Sequence, residues 1–312
     1  MSSTTIYSIN EMTEGLFGMV ILFMFEVLPI LETENLNIAK LKWDIRTSSY
    51  GSIFPNLLEY NEVSLLNTDV VEPSSVFPET NIPLFQLRTL YKQWVLGDDF
   101  ESLHRLFFKY FRIPTYINAF ADSLGLNDCV GIHFRGSDKT TDLNMNTPLS
   151  IRDFYVILDS YLNANKNVTK IFIATDEPST LEYLISKYSH IEFKTSRSLN
   201  GNLFWRNNEN TLKNGIEAMV DMVCLSKCKV VLKGSSALSS FSKVINPDLT
   251  IYRLNALKMF VDIPYFPDAY IPLLEKSEQY SSECNFILDK VQQDDWSILH
   301  KPKFNNFFYK PR

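Results

Sequence analysis

One stretch indicates the fold of this chain: Val130-Gly131-Ile132-His133-Phe134-Arg135-Gly136-Ser137-Asp138-Lys139. Residues 129–134 are mostly apolar and include β-branched side chains, as expected for a strand buried in a parallel sheet. Charged and polar side chains follow at once, and ligands of open α/β sheets bind outside the carboxyl ends of the strands. The stretch therefore predicts a buried strand that ends at a binding site, with an ordinary solvated loop as the alternative.

The second half of the chain alternates predicted strands with predicted helices. The strands are 129–134, 170–175, 229–232 and 249–254, and the helices are 151–162, 179–188, 211–226 and 237–244. In the third helix Ile216, Val220 and Val223 recur at helical spacing, and the pattern predicts that Asp221 is exposed. Strand alternating with helix predicts an α/β fold with a parallel, doubly wound sheet.

The length of 312 residues exceeds the usual size of a single core, so two domains are expected. We predict an N-terminal, acceptor-side α/β domain over 1–125, a C-terminal domain over 126–275, and a tail over 276–312 that packs back on the N-terminal domain. The first domain opens with a strand at 5–9 and a glycine turn at 14–18.

The composition favours a cytoplasmic location and argues against nucleic acid as a partner. The apolar segment 15–31 is marginal in length for a membrane span and contains Glu26 and Pro29, so it predicts a buried helix. The four cysteines lack paired metal-ligand spacing and predict buried free thiols, as in a reducing compartment. We therefore expect a cytoplasmic protein without a transmembrane segment. The net charge of −6 and the lack of a basic face argue against binding to nucleic acid.

Two more predicted strands end in polar clusters, Thr175-Asp176-Glu177-Pro178 and Lys233-Gly234-Ser235-Ser236. Right-handed crossovers place these clusters on the same sheet edge as His133 and Arg135, where all can converge on one ligand. The glycine-serine turn opens a helix and offers an anion site, with a plain serine N-cap as the alternative. Arg135 adds a permanently charged fork suited to a phosphate. The acidic cluster has an ordinary helix start as its alternative.

Several nucleotide-binding motifs are absent from the sequence. It contains no Gly-x-Gly-x-x-Gly and no Gly-Lys-Ser/Thr loop, which argues against a dinucleotide oxidoreductase and an ATPase. It also has no Asp-x-Asp pair of the kind that holds a metal on a nucleotide diphosphate. A diphosphate at this edge would be held by protein cations and a helix terminus, with no metal and no cofactor.

Three motifs in this order resemble those of the GDP-fucose-dependent fucosyltransferases, which comprise the α1,6-fucosyltransferases, the nodulation fucosyltransferases and the protein O-fucosyltransferases. The family's His-x-Arg, followed by Asp-Lys in the α1,6 group, is similar to His133-Phe134-Arg135 with Asp138 and Lys139. Its Ala-Thr-Asp-Asp-Pro is similar to Ala174-Thr175-Asp176-Glu177-Pro178. A third block is similar to Arg206, Glu209-Asn210-Thr211-Leu212, Asp221 and Ser235-Ser236.

The resemblance implies a GT-B-like architecture of two Rossmann-like domains, with the nucleotide-sugar donor in the C-terminal domain and metal-free inversion at the anomeric carbon. The donor-binding positions that it implies are His133, Arg135, Asp138, Lys139, Asp176, Arg206, Asp221, Ser235 and Ser236. Among them Arg135 would bind the β-phosphate and stabilise the charge of the leaving diphosphate. His133 and Asp221 would contact the guanine nucleoside, and the two serines would bind the diphosphate.

The general base departs from the family pattern. The glutamate proposed as base in the α1,6 enzymes falls on Leu143, with Asp142 beside it. Another branch of the family uses a glutamate in the first glycine turn, and Glu14 resembles that placement. Both Glu14 and Asp142 are candidate catalytic bases, and each has an ordinary surface position as its alternative. The second arginine that often follows His-x-Arg is replaced by Gly136, which leaves the donor sugar open.

We therefore expect an inverting, metal-independent glycosyltransferase that transfers fucose from GDP-fucose to a glycan or oligosaccharide acceptor. Another GDP-sugar or UDP-xylose is the alternative donor, because phosphate-binding residues do not report the sugar. A carbohydrate-binding relative that has lost the base is the alternative from a different class. An unrelated α/β protein is the remaining interpretation.

Overall fold

The computed structural model describes residues 7–9, 12–13, 41–43, 46–47, 51–52, 57–60, 100–135, 151–196, 211–234, 236–254 and 269–270. The chain divides into two compact units. The first comprises Met1–Ala119, Arg206–Met219 and Asn306–Arg312, and the second comprises Phe120–Trp205 and Val220–Asn305. The domain limits at 125 and 275 stay a prediction. The apolar segment 15–31 and the tail 276–312 lie outside the described residues.

The first unit contains short paired strands and a helix. Parallel pairs join β1 (Tyr7–Ile9) to β3 (Leu41–Trp43) and β2 (Met12–Thr13) to β4 (Arg46–Thr47), and antiparallel pairs join β4 to β5 (Gly51–Ser52) and β6 (Glu59–Tyr60) to β7 (Phe111–Arg112). Helix α1 (Phe100–Tyr110) buries Phe100, Leu103, Leu106 and Phe107 at helical spacing. Helix α2 (Thr115–Ser123) follows β7 and continues into the second unit. The strand expected near 5–9 is confirmed at its carboxyl end.

The second unit is built on a parallel sheet of six strands in the order β10-β9-β8-β11-β12-β13. The strands are β8 (Val130–Phe134), β9 (Lys170–Thr175), β10 (Glu192–Lys194), β11 (Val230–Lys233), β12 (Thr250–Arg253) and β13 (Ala269–Tyr270). The helices are α3 (Ile151–Ala164), α4 (Pro178–Lys187), α5 (Thr211–Ser226) and α6 (Ala237–Ile245). Helix α5 belongs to this unit from Val220 onward, and its earlier residues belong to the first unit. The predicted α/β fold with a parallel sheet is confirmed. The outer strands β10 and β13 were not predicted from the sequence.

Both faces of this sheet carry helices. On one face Ile132 and Phe134 of β8 belong to an apolar cluster with Phe154 of α3 and Leu181 of α4, and the rings of Phe134 and Phe154 lie 4.7 Å apart. On the other face Gly131 lies against the end of α5. A Cβ at Gly131 would come within 3.0–3.1 Å of side-chain atoms of Val231, Cys228 and Leu225. The strands are therefore buried on both faces, which explains their continuous apolar sequence.

Candidate functional site

The three polar strand ends lie along one edge of the sheet. All strands of the sheet are parallel, and the register sets His133 beside Ala174 of β9 on one side and beside Lys233 of β11 on the other. Lys233 in turn stands beside Arg253 of β12. The convergence expected from right-handed crossovers is therefore observed for the described residues of these clusters.

The centre of this edge is the point where the strand order reverses. Counted from β8 in chain order, the sheet reads 3-2-1-4-5-6, which is the order of the Rossmann fold. The chain leaves β8 toward β9 and β10, and it later continues from β11 toward β12 and β13. Connections from two adjacent strands that depart in opposite directions leave a crevice at their carboxyl ends, where ligands bind. His133 and Arg135 lie at the carboxyl end of β8, and Gly234 and Ser236 follow the carboxyl end of β11.

His133 is buried, with only 6% of its surface exposed, and its ring is held from α6. Its Nδ1 atom lies 2.9 Å from Oγ of Ser239, which is wholly buried. The Ser239 hydroxyl also donates to the carbonyl oxygen of Ser236 at 3.3 Å. Ser239 was not among the residues predicted from the sequence. The pattern that could have indicated it is the presence of serines at positions of α6 that helical spacing assigns to the buried face.

Two basic side chains lie at the carboxyl ends of the central strands β8 and β11. Arg135 comes directly after β8 and is partly exposed, while its Nε atom is buried. Lys233 ends β11 and is wholly buried. A buried ammonium group needs neighbouring groups that compensate its charge. In the register of the sheet, Lys233 stands beside His133. The sequence analysis included Lys233 in its cluster without giving it a role.

Helix α6 begins at this edge, directly after β11. Ser236 is the N-cap residue, with an extended backbone at φ −147° and ψ 131°, and its side chain makes no capping hydrogen bond. Ser236 therefore occupies the N-cap position that the alternative expected, but its hydroxyl does not cap the helix. Because that hydroxyl does not cap the helix, it does not satisfy the N–H groups of the first turn, which carry the positive end of the helix dipole. This geometry suits an anion.

The cluster after β9 begins a helix, as its alternative interpretation expected. Helix α4 starts at Pro178, and Glu177 occupies the N-cap position. The backbone N–H of Glu177 donates to Oγ1 of Thr175 at 3.1 Å, and Oε2 of Glu177 accepts from Oγ1 of Thr180 at 3.3 Å. Asp176 is buried at the same turn. These bonds account for Glu177 structurally, and a donor contact of Asp176 stays a prediction.

Asp221 corrects the sequence analysis. We expected an exposed acid, but only 4% of its surface is exposed and the Ser196 hydroxyl donates to its Oδ1 atom. The reason is that α5 packs on several sides along its second half. Leu225 contacts the sheet near Gly131, and the backbone carbonyl of Met222 accepts from the hydroxyl of Ser242 on α6. A buried carboxylate held by a hydroxyl is better suited to a specific polar contact than a solvated one.

The remaining candidates lie outside the described residues: Glu14, Asp138, Lys139, Asp142, Arg206 and Ser235. Within the described ranges, no group of three or more His, Cys, Asp or Glu side chains is arranged to hold a metal ion. No helix in the part of the chain that the structure describes is long and apolar enough to span a membrane.

The cysteines behave as buried thiols. Cys129, Cys224 and Cys228 are free and buried, as predicted, whereas Cys284 is outside the described residues. Burial raises the pKa of each of the three thiols. Thiols with raised pKa values form little thiolate at neutral pH, so these cysteines are poor nucleophiles.

Comparison with known proteins identifies the fold. No protein-family model matches the chain, and no curated protein matches it in sequence. The structure of NodZ α1,6-fucosyltransferase soaked with GDP-fucose matches at a TM-score of 0.51 with 15% identity, over 78% of this chain and 94% of that chain. The fucosyltransferase NodZ from Bradyrhizobium matches at 0.52 with 14% identity, over 80% of this chain and 96% of that chain. The chain therefore shares the fold of the NodZ fucosyltransferases.

Proposed function

We propose that this protein is an inverting, metal-independent glycosyltransferase that transfers fucose from GDP-fucose to a glycan or oligosaccharide acceptor. The observation that carries the proposal is the adjacency of β8 and β11 where the strand order reverses. It brings the His-x-Arg motif at His133 and Arg135 to the same crevice as the N-terminus of α6. A permanent cation opposite a helix N-terminus is an arrangement suited to a diphosphate.

Two independent observations support the donor. The motifs resemble those of GDP-fucose-dependent enzymes. NodZ, which has the same fold, has been soaked with GDP-fucose and co-crystallised with GDP. In our proposal the diphosphate lies between Arg135 and Ser236, and the nucleoside contacts His133 and Asp221. The proposal includes a GT-B-like arrangement of two Rossmann-like domains with the donor in the C-terminal one. It also includes a cytoplasmic location, which the buried free thiols favour.

The reaction forms a bond from the acceptor oxygen to the anomeric carbon while the bond from that carbon to the β-phosphate oxygen breaks. The acceptor attacks the face opposite the leaving group, so the configuration inverts. Negative charge grows on the departing GDP, where Arg135 and the N–H groups at the start of α6 stabilise it. The acceptor hydroxyl loses its proton to a carboxylate, for which Glu14 and Asp142 are the candidates.

The first experiment compares GDP, UDP and ADP as ligands in the presence of EDTA. A ligand that binds only the native state stabilises it by about 2.7 kcal/mol at a concentration near 100 times its Kd. We expect GDP alone to raise the melting temperature and to give a calorimetric binding isotherm. Incubation with GDP-fucose and a panel of oligosaccharides then tests transfer by mass spectrometry.

The outcomes separate the alternatives. Selective stabilisation by UDP would contradict the GDP-fucose donor, and dependence of nucleotide binding on a divalent metal would contradict the metal-free mechanism. Absence of binding to all three nucleotides would overturn the proposal in favour of a carbohydrate-binding relative. GDP binding followed by fucose transfer with inverted configuration would support the whole mechanism.

A further inference from the structure

We propose that Ser239 is a positioning residue that determines which ring nitrogen of His133 carries the proton. The inference deepens the proposed function, because His133 is the residue that we assign to the donor nucleoside. Ser239 lies 106 residues from His133 in the chain, yet its Oγ atom is 2.9 Å from Nδ1 of the ring. Both side chains are buried, so water does not readily replace this contact.

The second contact of Ser239 is the basis for the direction that we propose for the first. A serine hydroxyl has one proton to donate and two lone pairs that accept. The Ser239 oxygen lies 3.3 Å from the Ser236 carbonyl oxygen, and this contact is a hydrogen bond only if the serine donates its proton there. The contact with His133 is then a bond in which Nδ1–H donates to Ser239. In the opposite direction Ser239 would donate to Nδ1, and the carbonyl of Ser236 would accept from Ser240 without Ser239.

The neutral imidazole of His133 therefore carries its proton on Nδ1 and a lone pair on Nε2. With this tautomer Nε2 accepts a hydrogen bond, so it suits an N–H or O–H group of a nucleoside and does not suit a phosphate oxygen. The relay from His133 through Ser239 ends on the carbonyl of Ser236, the N-cap of α6. The ring is thereby held by the same helix start that we assign to the diphosphate.

Neighbouring serines show that Ser239 differs from an ordinary helical serine. Ser240 donates its hydroxyl proton to the carbonyl of Ser236 at 2.9 Å, and Ser226 donates to the carbonyl of Val223 at 2.7 Å. Such bonds to a preceding turn are common for serine in helices and are satisfied within the helix. The hydroxyl of Ser239 also accepts from a distant ring. Ser240→Ala is therefore a matched control, because it removes a buried hydroxyl bound to the same carbonyl.

The test is a nitrogen-15 NMR spectrum of the full chain with labelled histidine rings. The chain contains four histidines, so the signals of His133 are assigned by comparison with a His133→Asn variant. At a pH where the ring is neutral, we expect Nδ1 protonated and Nε2 unprotonated in the wild type and in Ser239→Thr and Ser240→Ala. In Ser239→Ala we expect a mixture of both tautomers. We also expect GDP affinity to fall about tenfold in Ser239→Ala and to stay unchanged in Ser240→Ala.

A proton on Nε2 in the wild-type spectrum, or a tautomer population that Ser239→Ala leaves unchanged, would overturn the assignment. If Ser239→Ala does not fold, the wild-type spectrum still decides, and Ser239→Thr tests whether the hydroxyl is sufficient. If the wild type binds no GDP while the tautomer result holds, the proposed donor is wrong and the role of Ser239 stands. The two failures are therefore distinguishable.

Discussion

Replacing Arg135 by alanine tests the proposed mechanism most directly. Arg135 follows β8 at the reversal point of the sheet, and its Nε atom is buried while the side chain as a whole is partly exposed. A hydrogen bond to a charged group contributes about 1.5–3 kcal/mol. For a partly exposed guanidinium we take about 2 kcal/mol, which corresponds to about 30-fold weaker GDP binding.

The effect on transfer is expected to exceed the effect on binding. Charge on the β-phosphate grows as the sugar departs, so Arg135 contributes more in the transition state than in the bound donor. Removing one such stabilising group typically lowers kcat by about 10²–10³-fold. Arg135→Lys keeps the charge but loses the planar fork, so its activity should lie between those of wild type and Arg135→Ala.

The assay measures Kd for GDP by calorimetry and kcat for fucose transfer in wild type, Arg135→Ala and Arg135→Lys. Arg112→Ala is the control for loss of a cation elsewhere, since Arg112 is exposed and pairs with Glu59 at 2.5 Å. Its surface pair contributes about 0–1 kcal/mol to stability, and GDP affinity should not change. Equal GDP affinity and equal kcat in wild type and Arg135→Ala would refute the role of Arg135.

Two further predictions concern buried positions of the second unit. Asp221→Asn keeps the size of the side chain and an oxygen for the Ser196 hydroxyl but removes the negative charge. We expect about tenfold weaker GDP binding, and an unaltered GDP affinity in calorimetry would contradict the nucleoside contact. Gly131→Val places a branched side chain where a Cβ already meets three atoms at 3.0–3.1 Å. We expect the free energy of unfolding in urea to fall by about 1–3 kcal/mol. An unchanged midpoint would contradict this, because it would mean that α5 moves aside without cost.

The central strands and the helices beside them could be predicted because their signals are local. Strand β9 was predicted at its observed limits, Lys170–Thr175, and helix α5 at Thr211–Ser226. A strand covered on both faces has an uninterrupted apolar run, and a helix on the sheet repeats its apolar residues at helical spacing. The helix start at Pro178 is equally local, since proline and acids at a first turn indicate it without reference to the rest of the chain.

The outer strand β10 was missed because its sequence has no strand signal of its own. Its three residues, Glu192-Phe193-Lys194, are exposed or only partly buried, so no apolar run marks them. Pairing with β9 and side-chain contacts determine this strand. Lys194 donates to the carbonyl of Leu124 at 2.7 Å and pairs with Glu192 at 3.5 Å. Asp221 was misjudged for a related reason, because helical spacing assumes one covered face and α5 has more than one.

The order of the strands explains why two motifs far apart in the sequence can form one site. If the strands followed the sheet in chain order, β8 and β11 would be separated by three interstrand spacings, or about 14 Å. In the observed order they are adjacent, and backbone N–H of Gly234 lies 3.4 Å from the carbonyl oxygen of His133. The same adjacency allows Ser239, on the helix that follows β11, to reach the ring of His133. The candidate site therefore depends on the insertion of β11 beside β8, a long-range event that neither motif encodes locally.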